Sequence, residues 1–240
     1  MAKIRLDKFL SDSSTYSRKD ATALIRKSLV KVNGKTISDG AFKVDTMCDE
    51  VTLNNEKLTH KENYYIMMNK PSGYLSATED RYQKTVLDLL SDDLPKAKIF
   101  PAGRLDKDTE GFLFLTTDGP LAHLVTGPKN HVEKKYYVCL DGSLEEKFIQ
   151  IFKDGIILND MGKEELLKSA KLEILTENSC FLTITEGKYH QVKRMFETLG
   201  RTVTYLKRVS IGNVCLDENL KSGEYREMTE DEVKSICMKK

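Results

Sequence analysis

The sequence predicts an α+β fold: a small N-terminal helix–hairpin domain, then a larger mixed, mostly antiparallel sheet with flanking helices. Three observations predict it. Helical and strand patterns alternate without a regular βαβ rhythm, which disfavours a doubly wound sheet. Asn33-Gly34 lies between alternating apolar residues, a strong short-range hairpin signal. The polar stretch 54–63 ends the first group of apolar segments and reads as the close of a small domain plus a linker. A chain of 240 residues suits one large domain or two unequal ones, and the expected division is 1–59 and 60–240.

The elements follow in order. Leu6, Phe9 and Leu10 mark a short helix, and Ser17 with Asp20 resembles a capping box. The helix it opens places Ala21, Leu24, Ile25 and Leu29 on one stripe and Arg18, Lys19, Thr22 and Arg26 on the other face. The hairpin spans 30–37 and another strand covers 50–53. Later strands are expected at 64–68, 112–116, 135–140, 171–175, 180–185 and 203–209, from apolar runs or period-two alternation. Helices are expected at 85–90, 120–125, 143–152 and 190–199, with Gly200 as the C-terminal stop of the last. Thr229 with Glu232 caps a final helix.

Composition narrows the class. Apolar residues make up 40% and charged residues 31%, nearly balanced in sign, so there is material for a packed core and dominant disorder is excluded. No apolar run reaches the ~18 residues of a membrane helix, and the charged start MAKIRLDKFL lacks a signal-peptide core. Five cysteines are scattered without a C-x-x-C pair, which disfavours a disulfide framework or a cysteine zinc site. These features point to a cytoplasmic protein with no membrane partner.

Net charge is only +1, but it is unevenly spread. Residues 1–35 hold nine Lys/Arg against three Asp, a net +6; residues 36–60 carry −3; residues 186–210 carry +4. Clustered positive charge in a neutral chain fits an anionic partner such as nucleic acid.

Four segments can carry chemistry. In GRLDKDTEGFLFLTTDG (103–119) a charged loop runs into an apolar strand, placing Arg104, Asp106 and Asp108 at the strand's mouth. Asp106 and Asp108 fit either paired carboxylates for acid–base or metal work, or an Asp-capped turn. In EGKYHQVKRMF (186–196), Lys188, Tyr189 and His190 open a helix that carries Lys193 and Arg194 beside its apolar stripe. The other histidines lack H-x-x-H spacing with His190, which disfavours zinc. YYIMMNKPSGYLSA (64–77) runs a strand into Lys70-Pro71. VEKKYYV (132–138) puts Tyr136 and Tyr137 on opposite faces of one strand. Phosphate-loop, dinucleotide and serine-elbow motifs do not occur, so no nucleotide cofactor is indicated.

Taken together and in this order, NKPSGY, GRLDKDTEGFLFLTTDG, VEKKYYV and GKYHQVKRM resemble the motifs of the small-subunit (16S) ribosomal RNA pseudouridine synthases. RLDKFL, the 17–29 helix and VKVNGK resemble the alpha-L RNA-binding domain shared with a ribosomal protein of the small subunit. The resemblance covers nearly the whole chain. It implies RNA binding by 1–59 and catalysis by 60–240. It further implies Asp106 as nucleophile, Tyr136 packed against the target base, and Lys193 where many relatives carry an arginine paired with the aspartate. A lysine there supplies a point charge rather than a bidentate fork. Phe112 and Phe114 stand where leucines are commoner. Lys70, Arg104, His190 and Arg194 are expected to bind substrate at the site, and Arg18, Lys19, Arg26, Lys31 and Lys35 to bind it from the N-terminal domain. A nucleophilic carboxylate in a desolvated pocket needs a cation beside it, Lys193 or Arg104. Asp108 and Asp118 then read as structural.

The implied reaction converts one uridine, at position 516 of 16S ribosomal RNA, to pseudouridine, without metal or cofactor. The substrate is the RNA or a small-subunit assembly intermediate, and the enzyme acts as a monomer. Tyr189-His190 favours the small-subunit branch over large-subunit relatives, which tend to carry Asn-Arg there. The alternatives are the same chemistry on 23S ribosomal RNA, a non-catalytic RNA-binding or assembly protein, and a hydrolase built on Asp106 and Asp108.

Overall fold

Ser17 caps the second helix as its sequence predicts: its hydroxyl accepts from Asp20 N–H, and the Asp20 carboxylate accepts from Ser17 N–H. The computed structural model describes residues 3–160 and 163–238. The chain divides into two compact units, one running to Tyr64 and including Leu90–Ile99, the other comprising Tyr65–Leu89 and the chain from Phe100 onward.

The first unit runs β1 (Lys3–Arg5), α1 (Leu6–Asp12), α2 (Arg18–Arg26), β2 (Val30–Val32), β3 (Lys35–Thr36), β4 (Lys43–Asp45), β5 (Val51–Leu53) and β6 (Glu56–Leu58). Leu6, Phe9, Leu10, Ala21, Ile25, Val30, Val32, Val44, Val51 and Leu53 form its core. Asn33 and Gly34 both take positive φ and close the predicted β2–β3 hairpin.

Two expectations need correction here. Helix α2 ends at Arg26, Ser28 turns left-handed (φ 62°), and Leu29 is exposed rather than on the core stripe. Residues 56–58 belong to a strand paired with β5, not to a linker. Asn54 and Asn55 both adopt positive φ, which asparagine tolerates better than most residues, and so turn the chain back.

The strands of the second unit are β7 (Tyr65–Lys70), β8 (Phe100–Pro101), β9 (Glu110–Thr116), β10 (Lys134–Leu140), β11 (Ile157–Asp160), β12 (Lys163–Leu166), β13 (Lys171–Thr176), β14 (Ser179–Ile184), β15 (Val203–Ile211), β16 (Val214–Cys215) and β17 (Tyr225–Glu227). Strands β11 and β12 pair as a separate hairpin, and the others form one nine-stranded sheet. Its main order is β13-β14-β10-β15-β9-β7-β17, with β16 on β15 and β8 on β9. All pairings in it are antiparallel except β15 with β9. Helices α3 (Gly119–Thr126), α4 (Lys147–Asp154), α5 (Gln191–Glu197) and α6 (Glu230–Ser235) complete the unit.

The predicted helix at 85–90 is a short 3-10 turn, Val86–Leu89, and the predicted 143–152 helix begins at Lys147. Among the described residues no helix is long and apolar enough to cross a membrane.

The parallel pairing positions the site. Gly111 lies opposite Arg208, with φ of +96°, and a Cβ there would come within 2.3 Å of the Arg208 carbonyl oxygen. Only glycine allows this approach.

In the first unit the buried Asp7 accepts from Arg5 Nη2 at 2.7 Å and from Arg18 Nη2 at 3.3 Å. The Arg5 hydrogen bond holds the Asp7 carboxyl below its ordinary range. Its folded pKa is thus below the unfolded one, so its contribution is complete above the unfolded pKa and disappears as pH falls through the folded one. Asp7→Asn should cost about 1–2 kcal/mol at neutral pH, and its difference from wild type should shrink in acid. Urea unfolding of both proteins across that pH range checks it; a constant difference would show that charge contributes nothing.

Candidate active site

A buried ammonium organises the loop that carries Asp106. Lys70 ends β7 and is fully buried. Its Nζ donates to the carbonyl oxygens of Pro71 (3.0 Å), Asp106 (3.1 Å), Lys107 (3.1 Å) and Thr109 (2.8 Å). Four acceptors for three hydrogens leave none for a ligand. Burial pushes the Lys70 ammonium down to about 8. The expectation that Lys70 binds substrate is therefore corrected: the lysine holds the loop from below. Ser76 Oγ adds a reciprocal pair, donating to Leu105 O at 2.9 Å and accepting from Leu105 N–H at 3.1 Å. Gly73 N–H donates to Lys107 O at 2.8 Å.

So held, the Asp106 carboxylate is partly exposed at a small cavity of about 60 Å³, whose lining includes Arg104, Thr109, Tyr136, His190 and Gln191. Lys193 Nζ lies 3.7 Å from Asp106 Oδ2 and His190 Nε2 lies 3.8 Å from Asp106 Oδ1. The tightest partner of Lys193 is Asp108, at 2.6 and 2.7 Å. That hydrogen bond holds the Asp108 carboxyl below its ordinary range. Lys193 thus serves both carboxylates as a point charge. Asp118 caps α3, accepting from Leu121 N–H, and also accepts from the Tyr65 hydroxyl.

Strand alternation places the two tyrosines as predicted. Tyr136 is buried and lines the cavity, while Tyr137 packs on the other face against Phe181 and Tyr205. Arg104 is exposed at the cavity; Arg194 follows on α5, half-buried and outside the lining. The remaining expected binders belong to the first unit. Arg18, Lys19 and Arg26 stand exposed on α2 and Lys35 on β3, while Lys31 on β2 donates to Asn55.

Arg208 and Gln191 are not found by sequence reasoning. Arg208 lies opposite Tyr136 on β15, is buried, and donates through Nε to Phe112 O at 2.7 Å and through Nη1 to the Tyr136 hydroxyl at 3.5 Å. Its signal is the basic cluster 186–210, but the parallel β9–β15 contact that buries it cannot be read from periodicity. Gln191 is buried and ties the turn before α5, donating to Glu186 Oε1 and accepting from Lys188 N–H. Among the described residues no cluster of three or more His, Cys, Asp or Glu could hold a metal ion.

Residues 64–198 match the family model described as RNA pseudouridylate synthase, and residues 4–51 match the S4 domain. The chain is 48% identical to an RNA pseudouridine synthase of Bacillus subtilis, covering 96% of this chain and 97% of that one. It is 43% identical to ribosomal small subunit pseudouridine synthase A of Haemophilus influenzae, covering 97% and 99%. A solved pseudouridylate synthase aligns at TM-score 0.69 with 42% identity, over 97% of this chain and 99% of that one.

The Lys70 cradle makes a strong prediction. Lys70→Met keeps the stem but leaves the carbonyls without their donor, so unfolding should lose about 3 kcal/mol or more. Amide exchange across 105–109 should rise. A substrate-contacting surface lysine would give neither result, so unchanged stability and protection would restore Lys70 as a binder.

Proposed function

The chain belongs to the RNA pseudouridylate synthase family, and we propose that it isomerises a uridine of small-subunit (16S) ribosomal RNA, at position 516, with Asp106 as nucleophile. The observation that carries this reading is the Asp106 carboxylate, held on a clamped loop at a cavity that Tyr136 lines, with Lys193 and His190 within 4 Å. The names of the Haemophilus influenzae and Escherichia coli relatives, the latter 40% identical over 97% of this chain, support the small-subunit substrate.

The chemistry follows from these groups. The uridine leaves its stack at a cost of a few kcal/mol. Packing against Tyr136 offsets part of that, roughly 1–3 kcal/mol for a base on an aromatic ring. Asp106 bonds to C1′ of the ribose or to C6 of the base; either route breaks N1–C1′. The base turns, C5 joins C1′, the C5 proton is lost and N1 gains one. Atoms and electrons balance, so the isomerisation consumes no oxidant or reductant. Lys193, bridging Asp106 and Asp108, orients the nucleophile, and Arg208 steadies Tyr136 from beneath.

Residues 1–59 supply RNA affinity and 60–240 the chemistry in this reading. Arg18, Lys19, Arg26, Lys31 and Lys35 contact phosphates, which position the RNA without reading its sequence. Arg18 does so while also pairing with Asp7. Every uridine offers Tyr136 the same face, so site choice rests on RNA shape.

Two outcomes are expected. Asp106→Asn should retain RNA binding and form no pseudouridine in a folded 16S fragment; substantial single-turnover product would remove Asp106 from the mechanism. Charge reversal of Arg18, Lys19 and Arg26 should weaken binding and lower its salt slope by about one unit for each phosphate no longer neutralised, with the same uridine modified. Wild-type product confined to 23S ribosomal RNA or transfer RNA would defeat the substrate assignment.

A further inference from the structure

Tyr189 is a large aromatic side chain beside this site that the isomerisation chemistry does not use. It is 75% exposed, yet its ring lies flat on the His190 imidazole, with centroids 3.8 Å apart and planes 16° apart. His190 lines the Asp106 cavity and reaches within 3.8 Å of the carboxylate. A two-ring stack therefore begins at the cavity wall and ends in solvent. Neighbouring side chains in an extended strand would point to opposite sides. The left-handed backbone of His190, φ 48°, accompanies the face-to-face arrangement of these two rings.

The occupant of the outer Tyr189 face can be argued from chemistry. A uridine that reaches Asp106 has left its stack, so the nucleotides beside it stay behind in the strand. Each is left without a stacking partner on the side the uridine occupied. An exposed aromatic face accepts any base, because every base has a π-face, and aromatic rings beside positive charge are the usual surface for unpaired nucleic acid. Arg104 is exposed at the same cavity and supplies such a charge. We propose that Tyr189, propped by His190, stacks on the nucleobase adjacent to the target uridine and takes the place of the flipped base. The proposal rests on the reading that the Asp106 cavity receives a uridine of RNA.

The test uses the full chain with Tyr189→Ala and Tyr189→Phe. Because the ring is exposed, the alanine variant should unfold at the wild-type temperature. Its KM for a folded 16S fragment should rise about tenfold, within the range for one base on one aromatic ring, while kcat at saturating RNA should change little. Tyr189→Phe keeps the ring and should rescue KM. A 2-aminopurine placed beside the target should be quenched on binding wild type and the phenylalanine variant, and stay bright with the alanine variant. Wild-type KM and quenching in Tyr189→Ala would overturn the platform while leaving the synthase reading intact. A wild type that binds the RNA but makes no pseudouridine would overturn that reading, and with it the platform beside its target. If wild type binds none of the RNA, both fall.

Discussion

A fully buried ammonium must find acceptors, and Lys70 finds them in the backbone of the loop that presents Asp106. The arrangement couples stability to site geometry. The loop carbonyls satisfy the buried charge, and the ammonium satisfies the loop carbonyls in turn. Because the hydrogen bonds run to carbonyl oxygens, the side chains of Asp106 and Asp108 remain free to face outward. Ser76 and Gly73 reinforce the same loop through backbone groups. The Asp106 side chain is thus placed by neighbours that bond only the backbone of its loop.

The sheet supplies the other wall. The parallel contact between β9 and β15 is close enough to exclude any side chain at Gly111 and lets Arg208 reach Phe112 O, while the antiparallel β10–β15 pairing sets Arg208 opposite Tyr136, whose hydroxyl it also reaches. Arg208 keeps one buried nitrogen without a hydrogen-bond partner among the described residues, as does the Thr109 hydroxyl beside the cavity. Both lie in the framework around Asp106 and Tyr136. Lys193 on α5 reaches Asp106 from a third element, so loop, sheet and helix each contribute one group.

The first unit is built differently. Its core is a compact set of aliphatic residues and one phenylalanine, and its positive charge lies on the surface of α2 and the β2–β3 hairpin. Asp7 draws Arg5 and Arg18 together from inside. A cation that already has an inward partner can still meet a phosphate outward, whereas Lys19, Arg26 and Lys35 are exposed.

Local rules were legible in the sequence. The capping boxes at Ser17 and Thr229, the Asn33-Gly34 hairpin and the opposite facing of Tyr136 and Tyr137 depend on residues close in the chain, where chemistry and period suffice. The motif loop around Asp106 was legible as a charged segment entering an apolar strand. Tertiary structure decided the rest, because it depends on partners far apart in sequence. Lys70 reads as a surface cation until β7 and β9 pair and the loop closes over it. Lys193 sits closer to Asp108 than to Asp106, at 2.6 Å against 3.7 Å. Arg208 joins the site only because β15 lies between β9 and β10, and strand 56–58 exists because β5 offers it an edge. Sequence determines which groups are available and how each short segment turns; burial and long-range pairing determine which of them meet, since desolvation and hydrogen-bond satisfaction act only once distant segments have come together.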